Sequence, residues 1–227
     1  MFQKLPKSIV ILAAIIGGME FLFSLSESAP IFGLTGEDLR LVAMRDFGFW
    51  NQIFTAQIST FNIINKESIR LFTYSFIHVN FVASIFSVVF TLAFGNLLAR
   101  YANDLQIIAF FLVSSFFGAL GYGFLIEDSF PLLGSSPGFF GFVGGFIFLL
   151  ALQYLEGKKE FNGFFAVPVF LLSAQIGFQL VFGGPNYWIA DLIGFITGFL
   201  LFPLLQFGFM PTLEIFKRLI LKILSRN

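Results

Sequence analysis

Long apolar runs separated by short polar stretches dominate the chain, at about 8 to 26, 71 to 98, 105 to 126, 136 to 155, 163 to 183 and 187 to 208. Each is long enough to cross a hydrocarbon core, which takes roughly 20 residues of helix. Backbone in lipid must satisfy its own N–H and C=O groups, so only helices or closed barrels span it. None of the runs alternates apolar and polar residues with period two, which excludes a barrel. The pattern predicts an all-α, polytopic membrane protein with six transmembrane helices. Between the first two runs, Ser26 to Arg70 is the longest non-spanning stretch, with Phe47, Phe49, Trp50 and Phe54 set among charges. It is expected to be an interfacial first loop, half in lipid on the outer side.

Charge orients this bundle. Lys4, Lys7, Arg100, Lys158, Lys159, Lys217, Arg218, Lys222 and Arg226 fall on one side of a six-span layout, against Arg40, Arg45, Lys66 and Arg70 on the other. Both termini are therefore expected in the cytoplasm. Ser8 to Leu25 follows two lysines and precedes small residues, as in a signal peptide; the polytopic remainder favours a first helix that stays. Residues 1–210 read as one membrane domain, and 211–227 as a short basic amphipathic tail. In that tail Leu213, Phe216, Ile220, Ile223 and Leu224 share a face opposite Arg218, Lys222 and Arg226, which suits an anionic inner leaflet.

Composition narrows the chemistry. The chain is 57% hydrophobic and 11% charged, with mean hydropathy +0.90, whereas soluble domains average about 25% charged residues. Its net charge is zero, so nothing argues for nucleic acid, and the bilayer is the first partner. Zero cysteines remove disulfides, thiolate ligands and thiol nucleophiles, and a single histidine removes a His-based metal cluster. The 37 Phe are scattered over every run as packing and lipid-facing mass, and imply no cofactor. Oligomeric state is not legible.

Residues that a spanning helix tolerates only for a reason come next. The fourth run enters through Gly134-Ser135-Ser136-Pro137-Gly138 and continues with Gly141, Gly144 and Gly145; the sixth reads Ala190-Asp191-Leu192-Ile193-Gly194, with Gly198 four residues on. Small-xxx-small faces let helices approach closely. These two are expected to pack together, with Ser136 and Asp191 meeting at the top of the contact. Ionisable residues at membrane depth are rare and usually face a cavity, which also marks Glu20 in the first run, where the neighbouring sequence offers no basic partner.

From about Arg70 to Gly198 the chain resembles the rhomboid intramembrane serine proteases. The matches are Arg70, the run Thr73-Tyr74-Ser75-Phe76-Ile77-His78, Gly95, Gly134-x-Ser136, and Ala190 with Gly194 and Gly198. Active members imply a serine nucleophile with a sixth-span histidine as base, and an oxyanion site from a second-span histidine and asparagine and the serine's backbone N–H. Here Ser136 falls on the nucleophile, but the base position is Asp191, and the two oxyanion positions are Ala83 and Ser87. His78 matches a histidine that the resemblance makes structural, hydrogen-bonded to loop backbone beneath the first loop. Pro137 replaces a glycine, and Ile69 the aromatic before Arg70.

A serine hydroxyl attacks only when a neighbouring base takes its proton. Histidine suits the task near pH 7; an aspartate, near 3.9 in water, must be raised by burial and is then largely protonated. Losing one oxyanion donor alone costs a hundredfold or more. Three readings stand. The preferred one is a rhomboid-like protein without protease chemistry that binds transmembrane segments of client proteins, as the resemblance implies for members lacking the dyad. The second is an endopeptidase using Ser136 with Asp191 or water as base. The third is a small transporter using Glu20 and Asp191. On the bland side, Ser136 and Asp191 read as helix caps, Gly134, Gly194 and Gly198 as packing residues, and Arg70 as an anchor to headgroups or loop carbonyls.

Overall fold

The computed structural model describes residues 5–31, 33, 36–61, 65–127, 129–158 and 185–224, together with 166, 169, 170, 173 and 177. It is helical: α1 (Lys7–Ser28), α2 (Gly36–Phe47), α3 (Asn51–Ser59), the single turn α4 (Arg70–Thr73), α5 (Phe81–Leu98), α6 (Asp104–Leu125), α7 (Ser136–Leu155), α8 (Tyr187–Phe207) and α9 (Phe209–Leu224). Among the described residues five helices, α1, α5, α6, α7 and α8, are long and apolar enough to cross a membrane. Of the expected span at 163 to 183, all but residues 166, 169, 170, 173 and 177 lie outside the described residues.

Helix α7 is the axis of the bundle, with 72% of its apolar window buried against 28–44% for the other four. Its glycines explain why. A Cβ on Gly198 of α8 would lie 2.5 Å from the carbonyl carbon of Gly141, and one on Gly194 would lie 2.8 Å from Pro137 Cα. The two helices run in the same direction in backbone contact. Gly144 also faces α8, at Phe195 and Phe199, whereas Gly145 turns toward Leu98 and Phe110 and leaves the expected face. Phenylalanines fill the space around this axis, with Phe110, Phe111, Phe142 and Phe148 fully buried in one cluster.

Polar caps fix where the helices begin. The Asn80 side chain accepts from Ala83 N–H at 2.9 Å, so the second span starts at Phe81, ten residues later than the hydropathy suggests. Residues 66–76 wind instead through single-turn helices. At the opposite end Asn103 and Gln106 form a capping box on α6. There Asp104 also accepts from Ser8 N–H (3.1 Å) and Oγ (2.7 Å), tying the starts of α1 and α6 together.

The first loop is largely helical among its described residues and turns two of its aromatics into the protein. Phe49 and Phe54 are buried against Tyr74 and Tyr122, rather than facing lipid; Phe47 remains exposed. Asn51 Nδ2 caps α6 by donating to the Gly123 (3.0 Å) and Ile126 (2.5 Å) carbonyls, and Phe49 pairs with Leu132 through two backbone hydrogen bonds. The tail also packs on the bundle. Ile215, Phe216 and Leu219 of α9 pack on the end of α7, and Lys222 leaves the polar face to donate to the Tyr154 (2.6 Å) and Leu155 (3.1 Å) carbonyls.

Candidate functional site

Helices α5, α7 and α8 start at one end of the bundle, and the candidate residues gather there. Gly134 makes the turn into α7 at φ +95, a conformation that favours glycine, and its N–H donates to the Tyr74 carbonyl at 3.0 Å. Ser135 is the cap residue of α7, with no side-chain capping bond, so Ser136 is already in the first turn and is not the cap. Ser136 is half-buried. Pro137 fills the space between α6 and α8: Cβ atoms on Gly118 and Gly194 would meet it at 2.7 and 2.8 Å.

His78 sits beneath this turn, 3% exposed. Its Nε2 lies 2.8 Å from Ser87 Oγ and accepts from Ser135 N–H at 3.4 Å. An Nε2 that accepts carries no proton, so the ring proton is on Nδ1, toward the Phe76 backbone. Burial pushes the imidazole down to about 4, against Glu20, which raises it; Arg40 lowers it further. The neutral ring binds the loop backbone, and with a serine hydroxyl and an amide N–H already on Nε2 it has no lone pair for Ser136.

Asp191 is fully buried. It lies in the second turn of α8, whose cap residue is Asn186, so it is not a helix cap either. Asp191, Gly194 and Gly198 share one face of α8 by their spacing of three and four residues. Since Gly194 opposes Pro137 and Gly198 opposes Gly141, that register sets Asp191 level with Gly134, at the mouth of α7. Burial pushes the Tyr74 phenol up, and its hydroxyl donates to the Ser115 carbonyl at 2.7 Å.

The two positions expected to supply oxyanion donors bring little. Ala83 offers a methyl group, and its N–H is taken by Asn80; the Ser87 hydroxyl is held at His78. Arg70 anchors the first loop: Nη1 donates to the Arg45 (2.6 Å) and Gly48 (3.0 Å) carbonyls while Nε pairs with Glu67 at 2.6 Å.

Two residues enter that sequence reasoning missed. Arg40 of α2 reaches both carboxylate oxygens of Glu20, at 2.6 and 3.0 Å, and donates to the His78 carbonyl at 3.0 Å. Glu20 thus has a basic partner, twenty residues downstream across a loop, where local sequence gives no signal. Ser135, the unremarked residue of Gly134-x-Ser136, supplies the N–H that His78 holds. A chain of contacts therefore runs from Glu20 through Arg40 and His78 to the turn that presents Ser136.

The rhomboid domain family model matches residues 65–206, from the first-loop cap through α8. The chain belongs to the rhomboid family. No curated protein matches it. It is an integral membrane protein of the rhomboid fold, and the matched residues include the turn into α7 and the glycine contact between α7 and α8.

Proposed function

We propose that this rhomboid is proteolytically inactive and uses the fold to hold transmembrane segments of client proteins. The observation that carries this reading is the engagement of the chain's single histidine. His78 Nε2 faces Ser87 Oγ and Ser135 N–H, so the one side chain whose ordinary pKa suits proton abstraction near pH 7 is spent on holding the loop. Ser136 keeps only its own backbone N–H and half-buried position from the machinery of an active member. The topology that goes with this reading has six spans, with 163 to 183 as the fifth, both termini in the cytoplasm, and Ser136 opening toward the outer side.

A second reading keeps protease chemistry. It is favoured by one observation: the full burial of Asp191 level with the mouth of α7. The transporter reading is weakened by the bidentate Arg40 pair on Glu20.

Cleavage of a quenched fluorescent transmembrane peptide in proteoliposomes tests the choice. Wild type is expected to match Ser136→Ala at background. Cleavage lost in Ser136→Ala would overturn the inactive reading, and its further loss in Asp191→Asn would establish the aspartate-dependent protease.

A further inference from the structure

A groove of about 340 Å³ runs between α1 and α5, away from Ser136, lined by Gly17, Glu20, Phe21 and Ser24 on one side and by Ser84 and Val88 among others on the other. Its walls are mostly apolar, as a lipid-facing surface should be, yet two hydroxyls open into it. Ser84 is 1% exposed, and among the described residues no hydrogen bond reaches the side chain of Ser84 or of Ser24. Acyl chains can offer neither hydroxyl a partner. A lipid-facing crease with unanswered hydrogen-bonding groups is thus mismatched to lipid.

Elsewhere along the groove α1 and α5 are already in contact, since a Cβ on Gly17 would lie 3.8 Å from Val88 Cγ2, an ordinary van der Waals distance. Charge sets the remaining condition. Both carboxylate oxygens of Glu20 are taken by Arg40, so the floor of the groove presents a neutralised pair, with no net charge to attract a cation or an anion.

We infer that the α1–α5 groove docks a transmembrane helix of another protein that carries a neutral hydrogen-bonding side chain, Ser, Thr, Asn or Gln, at the level of Ser24 and Ser84. This names the contact surface for the client helix and rests on the client-holding reading.

The test uses the full chain in nanodiscs with the photo-crosslinker p-benzoylphenylalanine in place of Phe21, on the groove rim, or of Phe117, a lipid-facing position on α6; both are exposed phenylalanines. The probes are two synthetic spanning peptides of about 20 residues, a Leu/Ala host helix with one Asn in the half that meets Ser24 and Ser84, and the same helix with Leu there. The Asn peptide is expected to label position 21 about fivefold more than the Leu peptide, the scale of one or two interhelical hydrogen bonds in a bilayer. Ser24→Ala/Ser84→Ala is expected to remove that preference, and position 117 to show none. Equal labelling by the two peptides at position 21, a preference that survives the double alanine variant, or an adduct of two copies of this chain would each overturn the assignment. Asn-peptide adducts at position 117 alone would overturn the groove and leave helix holding standing; adducts at neither position would count against both.

Discussion

His78 Nε2 stands 2.8 Å from Ser87 Oγ, which joins the chain's only histidine to the buried face of α5. Because the same nitrogen accepts the Ser135 N–H, the pair braces the turn into α7 and leaves no route from it to the Ser136 hydroxyl.

The brace works only with a neutral ring, which makes it pH-dependent. The His78 pKa is about 4 in the fold, below the ordinary 6.5, so the unfolded chain binds the proton more readily. Stability from this group is complete above about pH 6.5 and falls as pH drops toward about 4, by up to about 3 kcal/mol. Thermal unfolding in detergent at pH 7 and pH 4.5 is expected to show that loss in wild type and a smaller one in His78→Gln.

The Arg40–Glu20 pair is buried, with side chains 14% and 6% exposed. Removing one partner leaves the other charge buried, at a cost of about 3–5 kcal/mol, whereas apolar replacement of both is often close to neutral. Glu20→Leu and Arg40→Met are each expected to lower the unfolding midpoint sharply, and the double variant to recover most of the loss.

Gly198 has no room for a side chain, since the Cβ would strike Gly141 backbone at 2.5–2.6 Å and no rotamer relieves it. Gly198→Ala is expected to cost about 1–3 kcal/mol. At Gly17, where the nearest atom is 3.8 Å away, alanine is expected to stabilise by up to about 1 kcal/mol. Unfolding of both variants under one condition checks the opposite signs.

Much of this architecture was legible in the sequence, and the gaps have physical causes. Glycine spacing announced the α7–α8 contact because a thin helix face has few other uses in a bilayer. Hydropathy misplaced the start of α5, since Leu71, Phe72 and Phe76 are apolar but belong to single-turn helices before it, and the decisive cap is the single residue Asn80. It could not find Arg40 opposite Glu20, because the pair spans a loop, nor tell which aromatics of that loop turn inward. Ser136 and Asp191 both read as caps, yet each lies inside its helix, one residue past Ser135 and five past Asn186. Their closeness was an expectation from helix register; the engagement of His78 with Ser87 needed coordinates.

The tail offers a contrast between two cations. Lys222 caps the last carbonyls of α7, and hydrogen bonds from a charged group contribute about 1.5–3 kcal/mol. Arg218 meets Glu214 at 3.7 Å with both side chains about three-quarters exposed. Lys222→Met is expected to destabilise measurably in a chemical unfolding series, and Arg218→Met to stay within about 0.5 kcal/mol of wild type.

The most direct test of an unactivated Ser136 is labelling of the purified protein with a fluorophosphonate probe, beside Ser136→Ala and an Asp191→His variant that supplies a histidine at the proposed base position. The account predicts no labelling of wild type above Ser136→Ala, with labelling gained in Asp191→His. Wild-type labelling that disappears in Ser136→Ala would show an activated serine and contradict it.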